Sequence, residues 1–334
     1  MVNKQVHLSL VTRLSFLILL LFFAGCGPKY TYPAGKVPES VEDICRKEYK
    51  MDATARVVGK TLGVLIYVNE IIDSKGQIPK DVNEQMGKAM QAVSRVSLST
   101  DLPLDFCTVV LRDRTHSNEL VVVRSVDDTK RANSDAIGIE ESLNRTLFGQ
   151  NKFLPNSAGK KPFILKEVKL ENFLADQIVQ RVRYNFSKNL KGEKESKEEA
   201  EQSMALVDGV FSHEQNKRIF RFSVLSLKPG NPKQTVLEVL RTISVVLSGY
   251  HFQDFDEILI QDYLNRQKLT LGQKTFLDYQ AKKISEEQLL DRFLTESQSI
   301  QEAFKLFGFN LPSEASSSAA ADKDSRRPIS TATP

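Results

Sequence analysis

Val96-Ser-Leu-Ser-Thr-Asp-Leu-Pro-Leu-Asp-Phe-Cys-Thr-Val-Val-Leu-Arg-Asp113 is answered 149 residues later by Val245-Val-Leu-Ser-Gly-Tyr-His-Phe-Gln-Asp-Phe-Asp-Glu-Ile-Leu-Ile-Gln-Asp262. Six of the eighteen positions are identical, among them the Asp-Phe pairs Asp105-Phe106 and Asp254-Phe255 and the closing Asp113 and Asp262. Each stretch runs from the end of an apolar helical pattern through a turn into a β-rich run, Val109-Val110-Leu111 or Ile258-Leu259-Ile260. One supersecondary unit used twice is the reading this suggests.

The surroundings of the two stretches agree. Upstream of the first, Val41, Ile44, Cys45 and Tyr49 recur at helical spacing over residues 39–50. Residues 53–69 are β-branched and broken near Gly59-Lys60, as a hairpin would be. Pro79 and Asp81 open a helix with Val82, Met86, Ala89, Met90, Val93 and Val96 on one face. A second hairpin spans Phe106–Arg112 and Glu119–Val126, and residues 138–148 close the unit as a helix. The order then restarts: a helix marked by Phe173, Leu174, Ile178, Val182 and Phe186, a polar stretch at 191–202, and a hairpin over 204–227. A helix at Thr235–Leu247, strands at 255–264 and 267–278, and a helix from Glu286 to Phe307 complete it. The expected fold class is α+β. It consists of two tandem two-layer sandwiches, each an antiparallel sheet of about four strands ordered helix-hairpin-helix-hairpin-helix.

Length and composition agree with two domains. The chain has 334 residues, 41% hydrophobic and 26% charged, enough to bury two cores. Lys and Arg exceed Asp and Glu by 46 to 42, too even a balance for a nucleic-acid binder. Three cysteines are too few for a disulfide scaffold.

The amino terminus carries the most specific signal. Lys4 and Arg13 precede the apolar run Leu14–Ala24, which is too short to span a bilayer core that needs about 20 helical residues. Phe23-Ala24-Gly25-Cys26 follows at once. Small residues directly before a cysteine resemble the lipobox of bacterial lipoproteins, with Phe23 where that class prefers Leu. The resemblance covers these 26 residues. It implies cleavage before Cys26, a diacylglyceryl group on its thiol and acylation of the new amino terminus. With Gly27 after the cysteine instead of Asp, it implies the outer membrane, facing the periplasm. Removing Lys4 and Arg13 leaves 44 basic and 42 acidic residues. The domain reading is therefore 1–25 signal peptide, 26–38 tether, 39–148 first α+β domain, 149–166 linker, 167–309 second α+β domain and 310–334 tail.

No catalytic pattern survives inspection. Gly59-Lys60-Thr61 ends like a phosphate loop, but Thr54 stands where its first glycine belongs. His213-Glu214 begins like a zinc-protease helix, but Lys217 occupies the place of the second histidine. Ser157-Ala-Gly-Lys160 has serine-hydrolase spacing without the companion motifs. No catalytic, cofactor-binding or metal-ligating residue is assigned, and no cofactor is expected. Once Cys26 is spent on lipid, Cys45 and Cys107 are the one pair available for a disulfide, the alternative being two buried thiols.

The functional expectation is a lipid-anchored envelope protein, held to the membrane through Cys26, with a non-catalytic binding or scaffolding role toward another envelope protein and none toward nucleic acid. The alternatives are a periplasmic hydrolase assembled from dispersed carboxylates, with Asp105, Asp113, Asp254 and Asp262 first in line, and a carrier of a small ligand or lipid.

Overall fold

Gly59, at φ 55°, turns the chain where the sequence placed a hairpin, pairing β1 (Ala53–Val58) with β2 (Thr61–Val68) so that Val58 faces Thr61. The computed structural model describes residues 31–114, 116–152, 162–190, 205–226 and 232–296. These fall into two compact units that divide between Lys169 and Leu170.

In the first unit α1 (Val37–Lys47) precedes the hairpin. Pro38 and Glu39 suit its first turn and Arg46 and Lys47 its last, while Val37, Val41, Ile44 and Cys45 are buried. Then come α2 (Lys80–Leu98), β3 (Phe106–Asp113), β4 (Asn118–Ser125), the short helices α3 (Val126–Asn133) and α4 (Ile139–Asn144), and β5 (Leu147–Lys152). The second unit runs α5 (Leu170–Leu190), β6 (Ala205–Glu214), β7 (Lys217–Ser226), α6 (Pro232–Gly249), β8 (Glu257–Asp262), β9 (Gln267–Gly272), α7 (Gln273–Gln280), α8 (Glu286–Phe293) and β10 (Leu294–Glu296). Each unit is thus α-β-β-α-β-β-α-α-β. The sheets are ordered β1-β2-β3-β4-β5 and β6-β7-β8-β9-β10.

The α+β class and the tandem plan are as expected, but each sheet is mixed and has five strands. β2 pairs parallel with β3, and β7 with β8, because a helix carries the chain back across the sheet before the next strand begins. The burial reflects this: every residue of β3 is buried, as are most of β2, the pattern of strands covered on both faces. On one face lie the helices. On the other, Phe163 and Leu165 pack against Leu65 and Val110.

The fifth strand falls where helix and linker were expected. Residues 139–144 alone are helical, and Leu147–Lys152 pairs antiparallel with β4, Val122 facing Phe148. Its Gly-Gln-Asn-Lys end has poor strand propensity and is set by the open edge of β4. Nor do residues 162–168 run free, since Phe163 is buried and Val168 donates to Thr61 Oγ1 at 2.9 Å. The end of the expected tether is also folded: Val37 is buried and Tyr32 bridges to Thr100. In the second unit α8 stops at Phe293, and Leu294–Glu296 joins β9. Residues 297–307, the polar stretch at 191–202 and the tail lie outside the described residues.

The two units match in strand register. A shift of 149 carries the pair Thr108–Val123 onto Glu257–Gly272 and Arg112–Glu119 onto Gln261–Lys268. The first hairpins match at a shift of 156, Val58–Thr61 falling on Glu214–Lys217. The difference reflects seven more residues between β2 and β3 of the first unit than between β7 and β8. The helix is in a different phase from the strands. Val96 is fully buried whereas Val245 is 59% exposed; burial instead aligns Val96 and Ser97 with Val246 and Leu247. The ungapped alignment of residues 96–113 with 245–262 therefore holds on the strand and slips by one residue on the helix.

Candidate functional site: an open cleft in the first unit

A cleft of about 700 Å³ opens between α2, the helical pair α3–α4 and the sheet at β4 and β5. Its apolar wall is Met86, Met90, Leu98, Val122, Leu143 and Phe148; its polar lining is amides, hydroxyls and the guanidiniums of Arg95 and Arg124. Among the described residues no carboxylate, thiol or imidazole lines it.

Three local features leave it open. Gly87 sits on the cleft face of α2 in helical conformation, and a Cβ built there would meet nothing within 4 Å. Leu143 and Phe148 remain about half exposed, at 53% and 47%. Strand alternation then puts Arg124 on the helix-facing side of β4, in line with the buried Leu120 and Val122 and opposite Cys107.

Arg124 is the unusual charge. Its Nε donates to Thr146 Oγ1 at 3.0 Å, and Thr146 Oγ1 donates to the carbonyl of Ser142 at 2.9 Å. Burial pushes the Arg124 pKa down, against the opposing pull of Cys107 and Asp128. Asp128 is already engaged, accepting from Arg145 at 2.9 Å, and Arg145 donates also to Glu141 at 2.7 Å. Among the described residues no carboxylate forms an ion pair with Arg124. Arg95, at the cleft's edge, is by contrast held by both oxygens of Glu48 at 2.9 Å. A second pocket, of about 320 Å³, borders Arg124 on the side of Ile137 and Ile139.

The equivalent groove of the second unit is bridged. In the helix register fixed by burial, Gly87 corresponds to Leu237, Gln91 to Arg241 and Ser94 to Ser244. Leu237 is buried. Arg241 donates to both oxygens of Glu286 on α8, at 2.8 and 2.6 Å, and Tyr279 donates to the same carboxylate at 3.2 Å. Gln280 donates to the Ser244 carbonyl and to Ser248 Oγ, at 3.1 and 2.9 Å. That network holds Glu286 below the usual carboxylate range, chiefly through Arg241, and burial beside Glu286 pushes the Tyr279 phenol up to about 12.

The residues singled out from sequence lie elsewhere. Cys26 and Ser157–Lys160 are outside the described residues. Cys45 and Cys107 are free buried thiols and not a bridge; burial pushes each up to about 11, and Cys107 Sγ donates to Ser97 Oγ at 3.3 Å. Gly59-Lys60 is a hairpin turn. Asp113 and Asp262 are buried and hold the turn after their strand: Asp113 Oδ1 accepts from the His116 backbone at 2.8 Å, and Asp262 Oδ1 from that of Asn265 at 3.1 Å. Asp113 Oδ2 also accepts from the Ile71 backbone at 3.3 Å, fixing the longer loop of the first unit. Asp105 and Asp254 are exposed partners of Lys60 and Arg218. Asp105 and Asp113 stand at opposite ends of the β3 strand, roughly 25 Å apart at ~3.3 Å per residue, so they do not form a carboxylate pair. Among the described residues no group of three or more His, Cys, Asp or Glu side chains could hold a metal ion, and no helix is long and apolar enough to cross a membrane.

The cleft itself was missed from sequence. Two signals for it were present: a glycine on an otherwise helix-favouring stretch, and an arginine at the end of the apolar strand Leu120-Val-Val-Val-Arg124.

No family model matches the chain, and no curated protein does. Among solved structures, the crystal structure of the sex pheromone staph-cAM373 precursor is 6% identical, covering 67% of this chain and 71% of its own, at a TM-score of 0.19. That of a sex pheromone precursor from Lactobacillus salivarius subsp. salivarius UCC118 is 11% identical, covering 63% and 58%, at 0.15. Likenesses of that degree carry no argument about what this chain does.

Proposed function

We propose that the chain is a lipid-anchored cell-envelope protein with a non-catalytic binding role, tethered through acylated Cys26 at the periplasmic face of the outer membrane. The observation that carries the binding role is the cleft of the first unit. It is concave, largely apolar and supplied with guanidiniums, amides and hydroxyls, and among the described residues no carboxylate, thiol or imidazole lines it. Such a surface suits holding a ligand by burial and a few polar contacts better than moving protons. The anchor rests on the lipobox-like Phe23-Ala24-Gly25-Cys26 after a short apolar run. Each buried acyl methylene contributes about 0.8 kcal/mol, so several chains on one cysteine hold a protein at a membrane stably.

The anchor is tested by metabolic labelling with a palmitate analogue in a bacterial host. Cys26→Ala abolishes labelling and moves the protein out of the membrane fraction. Labelling that persists in the variant overturns the anchor. Separating inner from outer membranes then locates the labelled protein.

A further inference from the structure

The cleft contains a cation, Arg124, that forms no ion pair with a carboxylate among the described residues. A half-buried guanidinium with one protein hydrogen bond is costly, and a cavity that keeps one is normally matched by an incoming charge. The second unit shows how the same groove is completed from within: Glu286 closes it onto Arg241, and Leu237 fills the space that Gly87 leaves open. In the first unit Asp128 is committed to Arg145, and Asp135, which lines the adjoining pocket with Arg124, forms no ion pair with it among the described residues.

We propose that this cleft binds an aliphatic monocarboxylate, a fatty-acid-like molecule whose carboxylate sits on Arg124 and whose chain lies against Met86, Met90, Leu143 and Phe148. The inference deepens the binding role proposed above and rests on it. Charge complementarity selects the head: Nε of Arg124 is engaged by Thr146, leaving the terminal nitrogens as a two-donor fork suited to one carboxylate. The wall selects the tail. Methionine side chains adapt to a flexible chain, and about half of each of Leu143 and Phe148 is left for a ligand to cover.

Calorimetric titration of the full chain carrying Cys26→Ser, which cannot take up its own acyl groups, tests this with decanoate, decanol and trileucine. Decanoate binds at least about tenfold tighter than decanol, the preference that one charge-assisted contact supplies. Arg124→Gln removes that preference, bringing decanoate to the affinity of decanol. Gly87→Leu, which copies the second unit, weakens decanoate and decanol alike while raising the melting temperature, so a folding defect is not mistaken for loss of the site. Equal affinity for decanoate and decanol overturns the proposal. So does an undiminished preference in Arg124→Gln, trileucine binding tighter than decanoate, or no decanoate binding. None of these outcomes bears on palmitate labelling of Cys26, so the anchor and the ligand fail separately.

Discussion

The two units share one topology and one strand register, yet they fill the same frame differently. The first core is aliphatic, built on Leu62, Val64, Ile66, Val93 and Val109. The second is aromatic: Phe220 packs against Phe211 at 4.7 Å and against Phe252 and Phe255 at 5.9 Å, and Phe255 against Phe276 at 5.7 Å. Between α6 and α8 the second unit has a carboxylate–guanidinium bridge, where the first has an open cleft and an arginine with no carboxylate ion pair among the described residues. The order of helices and strands sets the architecture, whereas a handful of side chains decides whether a groove on it is filled or vacant.

The aromatic core is where the largest change is expected. Phe220→Ala costs about 3–5 kcal/mol, the usual range for deleting a buried phenylalanine, read as a shift of the urea midpoint at constant slope. A loss below about 1 kcal/mol would show that the ring cluster is not closely packed and would remove the contrast between the cores.

The buried aspartates come next. Asp113→Ala costs about 1–3 kcal/mol by orphaning the Ile71 and His116 amides, and hydrogen exchange at Ile71 rises. Asp262→Ala costs less, because one neighbouring residue, Asn265, supplies both of its observed partners. Equal losses would break the distinction drawn between the two turns.

A smaller effect, of opposite sign, is expected on the cleft face. Gly87→Leu gains roughly 0.5–1 kcal/mol, because glycine in a helix interior is poorer than leucine by about that amount and open space receives the side chain. A fall in melting temperature would mean that Gly87 is needed for packing and that the cleft is not open there.

The least dramatic contrast is in pH dependence. Arg218, through its side chain and its backbone, holds Asp256 of the second unit down to about 2 from 3.8. A carboxylate shifted downward stabilises the fold above its ordinary pKa and loses that contribution as pH falls from about 4 through 2. Cys45 and Cys107 of the first unit are raised from 9.0 to about 11. Their contribution is complete below pH 9 and is lost as pH rises through 11. Thermal melts with site-resolved exchange should therefore show the strand ends around Asp256 loosening on the acid side, and the surroundings of Cys45 and Cys107 loosening from about pH 9. Thiols that react freely with iodoacetamide in the native state at pH 8 would contradict the alkaline half.

Much of this was legible in the residues. Gly59-Lys60 between two β-branched runs marks a hairpin, the spacing of Val82, Ala89, Val93 and Val96 marks a helix, and Asp113 and Asp262 recur because both close a strand into a turn. The cleft was less legible. Val245 seemed to repeat Val96, but one slipped residue rotates a helix by about 100° and puts Val245 in solvent. Arg124 ends an apolar strand, and only the pairing of β4 with β3, opposite Cys107, directs it inward.

Alone, the sequence determined the tandem α+β plan, the turns, the main helices and the lipobox-like amino terminus, because each is written in local periodicity or in a contiguous motif. The tertiary structure decided that the central strands run parallel, that Leu147–Lys152 is a strand, that Cys45 and Cys107 are unbridged, and that Arg124 faces a cleft lined by no carboxylate among the described residues. Those outcomes depend on which edges and side chains distant segments bring together, and burial and charge pairing across a fold leave no local pattern from which they can be read.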